Sequence, residues 1–252
     1  MRRLWGIVRS LVMYYGPGKL RRMHRLYGIF LGPGDSGFDL GAHVGSRVWA
    51  WRRLGARVVA VEPQAVGLRL LRLFFRRDQG VTILPVAVGA SVGTASLAVS
   101  SATPTVSSLS RGWIEAVTTD RRFERINWDR SLEVEVTTLD ALIAQHGEPA
   151  FCKIDVEGFE VEVLTGLSRP LRALSFEYLP PAHDAALRAL SLVEGLGEYE
   201  YNYSPIETMR FASDRWLTAT EVAKVLDRFR PLGRSGDVYA RRLRPASGRP
   251  RG

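Results

Sequence analysis

Cysteine is almost missing from this chain. Cys152 is the single one in 252 residues, so no intrachain disulfide can form. The four histidines do not gather near it, which excludes the Cys/His clusters that hold structural zinc. Long apolar runs are missing too. The opening stretch MRRLWGIVRSLVMYYG is interrupted by Arg9 and falls well short of the ~20 residues that a membrane span needs. No small-residue cleavage pattern follows it, so it does not read as a secretory signal. Together these absences point to a reducing cytoplasm.

Acidic residues are absent from both ends. Residues 1–34 carry seven Lys or Arg and no acid, and residues 241–252 carry five Arg and no acid. Removing those twelve from the 35 basic residues leaves 23 against 26 acidic ones. The net charge of +9 is therefore assigned to the ends, and no nucleic-acid partner is expected for the body of the protein. Residues 2–15 have Leu4, Ile7, Val8, Leu11 and Tyr15 at helical spacing. We read them as a basic amphipathic helix packed across the domain. The alternative is a weak contact with anionic lipid, peripheral at the inner membrane face, or with a large substrate. The tail 244–252, rich in Pro, Gly and Arg, is expected to be disordered. Between a helical extension over 1–34 and that tail, residues 35–243 are expected to form one domain.

What is present is concentrated in Phe38–Glu62, FDLGAHVGSRVWAWRRLGARVVAVE. It reads as a strand ending in Asp39, a turn holding Gly41, Ala42, His43 and Gly45, a helix over Ser46–Leu54, and a strand ending in Glu62-Pro63. Glycine in such a turn lets backbone N–H groups approach a ligand. An acid at the tip of the second strand, 17 residues after Gly45, suits the ribose hydroxyls of a nucleoside. The turn is spaced G-x-x-x-G, not the G-x-G-x-x-G that seats a diphosphate, and Asp39 beside it would repel phosphate. A cationic nucleoside without phosphate fits better, and S-adenosylmethionine is one. Alternatively, the two glycines only let helix and strand pack closely.

A helix is expected over 64–77 and a buried strand over 81–88, with Pro85 an irregularity within it. In an open parallel sheet the backbone after that strand, around Val86, Ala87, Val88 and Gly89, neighbours the base of a bound nucleoside. From 89 to 137 the pattern changes to alternating strands (TASLAVS and LEVEVT) around a Ser/Thr-rich loop, an insertion laid along the sheet. Trp113 and Trp128 either flank a sugar or polyketide face or pack internally.

The second dense block is AFCKIDVEGFEVEVLTGL, 150–167: a buried strand, a turn holding Asp155, Glu157 and Gly158, and a helix. Lys153, Asp155 and Glu157 would be costly inside a sheet, so they are placed at its C-terminal edge, facing the cleft. A strand over 173–181 follows, with Glu177 near its end. His183 opens a helix, another helix covers 219–230, and two final strands cover 199–205 and 237–243.

With both blocks in view, the chain resembles the FkbM-type methyltransferase family. DLGAHVG (39–45), VEP (61–63), AVG (87–89), TTLDAL (137–142) and KIDVEGFEVEVLTG (153–166) carry the resemblance, in the family's order. His43 stands where that family usually has asparagine. The resemblance implies an α/β class I (Rossmann-like) three-layer sandwich, whose mostly parallel seven-stranded sheet has a reversed last strand. It also implies transfer of methyl from S-adenosylmethionine to a hydroxyl on a sugar, glycan, glycolipid or polyketide-type natural product.

A hydroxyl is a weak nucleophile and needs a base or a metal. Asp155 is the first candidate, expected across the cleft from Asp39, with Glu157, Glu177 and His183 after it. Asp155 and Glu177 are also candidate Mg2+ ligands. Against these roles, Asp155 could serve only as an ion pair for Lys153, and His183 could be a surface residue. The competing functions are a nicotinamide-dependent oxidoreductase on a similar βαβ unit and a non-catalytic or membrane-surface binding protein.

Overall fold

The computed structural model describes residues 17–243, apart from 101, 102, 104, 105, 121, 122, 125 and 207. The helix expected over 2–15 and the tail 244–252 lie outside the described residues. Helix α1 (Pro17–Tyr27), within the helical extension expected over 1–34, leads into β1 (Ser36–Leu40), α2 (Ser46–Arg53), β2 (Arg57–Val61), α3 (Ala65–Phe75) and β3 (Val81–Leu84). Then come β4 (Ala87–Val88), β5 (Gly93–Val99), α4 (Arg111–Thr118), β6 (Arg130–Thr137), α5 (Leu139–His146), β7 (Phe151–Ile154), α6 (Glu160–Thr165) and β8 (Ala173–Tyr178). The chain finishes with a short 3-10 turn (Pro180–Ala182), α7 (His183–Leu196), β9 (Tyr199–Pro205), α8 (Ala219–Phe229) and β10 (Gly236–Arg242).

Seven strands form the main sheet in the order β3-β2-β1-β7-β8-β10-β9. Every pair on the β3-to-β8 side is parallel, while β10 runs antiparallel to both β8 and β9. This is the sheet with a reversed last strand that the family resemblance implies. Its central strands are apolar almost throughout because helices cover both faces. Phe38, Leu40, Val59, Val61, Cys152 and Ile154 pack toward α5, α6, α7 and α8. The alternate residues Val58, Ala60 and Phe151 pack toward α1, α2 and α3. Period-two alternation therefore sends Asp39 and Lys153, which are register partners on β1 and β7, to the α1–α3 side.

The strand expected over 81–88 is two strands. Residues 81–84 stay in the main sheet as β3, while Ala87 and Val88 pair in parallel with Val136 and Thr137 of β6. Pro85 lacks the N–H that a continuing ladder requires, and the chain changes sheets there. The strands of the 89–137 segment do not join the main sheet. Instead, β6 pairs with β5 on one side and β4 on the other, in a separate three-stranded sheet of order β4-β6-β5. Helix α4 is not among the elements expected from the sequence. It is capped by Ser110, whose side chain accepts from the Trp113 N–H, and it buries Trp113 and Val117.

Candidate functional site

The turn after β1 is built by three left-handed residues, Gly41 (φ 81°), His43 (φ 47°) and Gly45 (φ 78°). Gly41 is required for space as well as for φ, because a Cβ there would run into the carbonyl oxygen of Asp155. His43 is the informative one. Asn and His are among the few side chains enriched at positive φ, so the histidine preserves the conformation that asparagine would adopt. Burial pushes its imidazole down to about 4, with Arg47 adding to the effect, so the ring is neutral at physiological pH.

The turn is tied to β2 at several points. The N–H groups of Gly41 and Ala42 both donate to the Val61 carbonyl. His43 N–H donates to Glu62 Oε2 at 2.9 Å and Gln64 N–H donates to Glu62 Oε1 at 2.8 Å. Both oxygens of Glu62 are thus fixed in direction, each with a lone pair left to accept from a ligand. Burial raises the Glu62 carboxyl to about 7, against the lowering effect of the two backbone donors.

Asp39 does not face the cleft as the sequence reading expected. It is fully buried, and Arg47 stands over it, its Nε donating to Asp39 Oδ1 at 2.8 Å. Arg47 Nη2 donates to the Gly41 carbonyl at 2.9 Å, and Nη1 lies 2.9 Å from Asp155 Oδ2. One guanidinium thus ties β1, the glycine turn and the β7 turn together. Lys153, also buried, pairs with Asp237 Oδ1 at 2.9 Å and with Asp155 Oδ2 at 3.6 Å. Three carboxylates share two cations beneath the site. Burial pushes Asp155 upward, but Lys153 and Arg47 outweigh it and hold its carboxyl below the usual range. For Asp39 burial wins, and its carboxyl sits above the ordinary value.

Sequence reasoning missed Arg47. Its signal was a cation in the first turn of a helix, where the macrodipole disfavours positive charge unless a carboxylate is near. Asp237 was missed as well, since nothing local in the sequence couples it to Lys153.

Asp155, Glu157 and Glu177 are brought together: one oxygen from each lies within 4.8 Å of the others. Burial first, and then mutual repulsion within the acid group, drives Glu157 and Glu177 well above the usual carboxylate range. Glu177 Oε2 is buried without a hydrogen-bond partner. Glu157 is itself left-handed (φ 51°), and the turn is held by Glu160 Oε1, which accepts from the N–H groups of Val156 and Gly158 at 3.2 Å each.

A cavity of about 880 Å3, open mouth included, runs along these elements. Of the residues singled out from sequence, Gly41, Ala42, His43, Glu62, Pro63, Ala87, Val88, Asp155 and Glu157 line it, as does Arg47. Glu177 lines a smaller neighbouring cavity with Trp113, Gly158 and Glu160. His183 lines neither. It is buried and bonds through Nε2 to Asp227 Oδ1 of α8 at 3.0 Å, so it is not the surface residue that was weighed against catalysis. Trp113 is buried edge-on to Trp128, with ring centroids 6.4 Å apart, and Trp128 Nε1 donates to the Val106 carbonyl. Trp113 is buried in this packing, whereas Trp128 is only partly buried.

A family model described as the methyltransferase FkbM domain matches residues 39–204, well over half of the chain. No curated protein matches the sequence. Among solved structures the chain is similar to a precorrin-6y C5,15-methyltransferase from Geobacter metallireducens (12% identity, 88% of this chain and 86% of that one, TM-score 0.47). It is also similar to a precorrin 8w decarboxylase from Methanobacterium thermoautotrophicum (10% identity, 86% and 87%, TM-score 0.44) and to an rRNA methylase from Streptococcus thermophilus (11% identity, 88% and 94%, TM-score 0.42). The glycine turn, the acid at the tip of β2 and the acidic β7 turn all fall inside the matched segment, and the chain belongs to the FkbM methyltransferase family.

Proposed function

We propose that the protein transfers methyl from S-adenosylmethionine to a hydroxyl of a sugar, glycan, glycolipid or polyketide-type natural product. The observation that carries this reading is the placement of two kinds of carboxylate on either side of the glycine turn. Glu62, at the end of β2, is held by two backbone donors. Asp155 and Glu157, after β7, line the same cavity. In the sheet order, β2 and β7 flank β1, so the turn lies between them.

Glu62 suits the ribose hydroxyls, because its two oxygens are oriented before any ligand arrives. The backbone at Ala87–Val88 borders the same cavity and suits the base. When bound, S-adenosylmethionine supplies a methyl group already activated by its sulfonium, so the protein's own part is alignment and proton removal. Asp155, ion-paired to Arg47 and Lys153, remains ionised and complements a cation. Burial and mutual repulsion raise Glu157 and Glu177 above the ordinary carboxyl range, and Glu157, which lines the cavity, is placed to exchange a proton with the acceptor hydroxyl. The same three oxygens are hard donors of the kind Mg2+ takes, and Mg2+ often binds through one or two carboxylates while keeping several waters.

Calorimetry on the full chain tests the cofactor: S-adenosylmethionine and its demethylated product bind, and NAD does not. Label transfer from S-adenosylmethionine to fractionated glycans, glycolipids or polyketides tests the acceptor. Glu157→Gln is expected to lose turnover while retaining cofactor binding, and Asp155→Asn to weaken cofactor binding and turnover with it. Binding of NAD in place of S-adenosylmethionine would overturn the proposal, and parental turnover by Asp155→Asn would remove that residue from it.

A further inference from the structure

The two helical layers of the sandwich carry opposite charge. Helices α1, α2 and α3 together hold nine Lys or Arg and not one Asp or Glu. On the other face α5, α6, α7 and α8 hold seven acids against three cations. Two more arginines, Arg76 and Arg77, directly follow α3. Of the three acids between the basic helices, Asp39 and Glu62 are buried and Asp35 is partly exposed and paired with Arg172.

Not all nine cations face outward. Arg47 is turned to Asp39, and Arg52 pairs with Asp78. The rest of the pattern is ordered along the helices. On α3, Arg69, Arg72, Leu73 and Arg76 are all exposed at spacing i, i+3, i+4, i+7, a single stripe on the outer side. On α1, Arg21, His24 and Arg25 repeat that spacing on its exposed side. Between these helices Arg53 lies over the Trp49 ring, 4.6 Å from its centroid. Among the described residues none of Arg21, Arg25, Arg69, Arg72, Arg76 and Arg77 is paired with a carboxylate.

Large aliphatic side chains stand among these arginines: Leu73 is 64% exposed on α3, and Ile29, just beyond α1, is 50% exposed. We propose that the α1–α2–α3 layer is a docking surface for an anionic lipid bilayer. Arginines on this layer meet the phosphates of the headgroups, and their stems together with Leu73 and Ile29 enter the apolar boundary. Nucleic acid would satisfy the charge equally well, but a phosphodiester surface offers nothing to an exposed leucine or isoleucine. This surface is independent of whether the cleft transfers methyl.

The test is co-sedimentation of the full chain with vesicles of phosphatidylcholine alone and of phosphatidylcholine with phosphatidylglycerol. Binding is expected only to the mixed vesicles. Replacing Arg69, Arg72, Arg76 and Arg77 together by Gln should weaken it by roughly 600-fold, since each cation at the surface contributes about fivefold. The triple variant Arg188→Gln, Lys224→Gln, Arg228→Gln on the opposite layer should bind as the parent does, and Leu73→Ser should weaken binding severalfold. Equal thermal melting of all variants separates docking from folding. Three results would each overturn the proposal. One is no binding by the parent chain, and another is undiminished binding by the α3 quadruple variant, which would move the contact to residues 1–16. The third is stronger binding to duplex RNA than to mixed vesicles, with no effect of Leu73→Ser.

Discussion

Arg47→Met is the sharpest perturbation the structure offers. The side chain is 12% exposed and touches Asp39 (0%) and Asp155 (22%) as well as the Gly41 carbonyl. Met keeps the stem's volume and removes the charge, leaving Asp39 without a cation and Asp155 with Lys153 alone, at 3.6 Å. Removing one partner from a buried ion pair costs about 3–5 kcal/mol, because the remaining charge stays desolvated. Against a total stability of about 5–15 kcal/mol that is a large fraction. At about 2–4 °C per kcal/mol for a chain of this size, the melting temperature should fall by about 6–20 °C.

The loss should also depend on pH, with a definite sign. Asp155 is held below the ordinary carboxylate range, so its pairing stabilises the fold above that range and ceases to do so as it protonates. The gap between parent and variant is therefore full at neutral pH and narrows below about pH 4. Urea denaturation of the unliganded protein across pH reads both quantities. Adding Asp39→Leu to Arg47→Met should recover part of the loss, since the uncompensated charge goes with it. A loss under about 1 kcal/mol, or one that is flat with pH, would refute the coupling assigned to Arg47.

Two further predictions concern the cavity. Glu62→Gln should weaken S-adenosylmethionine binding by between about tenfold and a hundredfold, the range for a hydrogen bond to a charged group. Because the parent carboxyl titrates near 7, parental affinity should fall between about pH 8 and about pH 6 while the Gln variant stays level; parallel profiles would disprove the role. Gly41→Ala faces both a left-handed backbone, costing about 1–2 kcal/mol, and a collision with the Asp155 carbonyl. It should lower stability in denaturation and abolish cofactor binding in calorimetry, and parental values in both would contradict the close approach of the two turns.

The sequence by itself determined the local pieces. The β1–turn–α2–β2 unit, the acid tip at Glu62, the strand and acidic turn at 151–158 and the paired ends of β9 and β10 were legible because strand alternation, helix period and glycine conformation act within a few residues. Helix boundaries came within a residue or two for α2, α3 and α8. Helix α4 escaped because its apolar stripe is short and follows a Ser/Thr-rich loop, and α1 was covered only by the helical extension expected over 1–34, without bounds of its own.

Tertiary structure decided what the local pieces do to one another. Lys153 reaches Asp237 across 84 residues only because β10 inserts between β8 and β9, a strand order no local pattern encodes. Arg47 cancels the charge at Asp39 that the sequence had offered to the cofactor, and it leaves Asp155, Glu157 and Glu62 to border the cavity. The body that balances 23 basic against 26 acidic residues as a string is not balanced in space: α2 and α3 carry five of its cations and no acid, and α1 adds four cations from the basic N-terminal stretch. Right-handed crossovers place the early helices on one face of the sheet and the later ones on the other, and the charges separate with them.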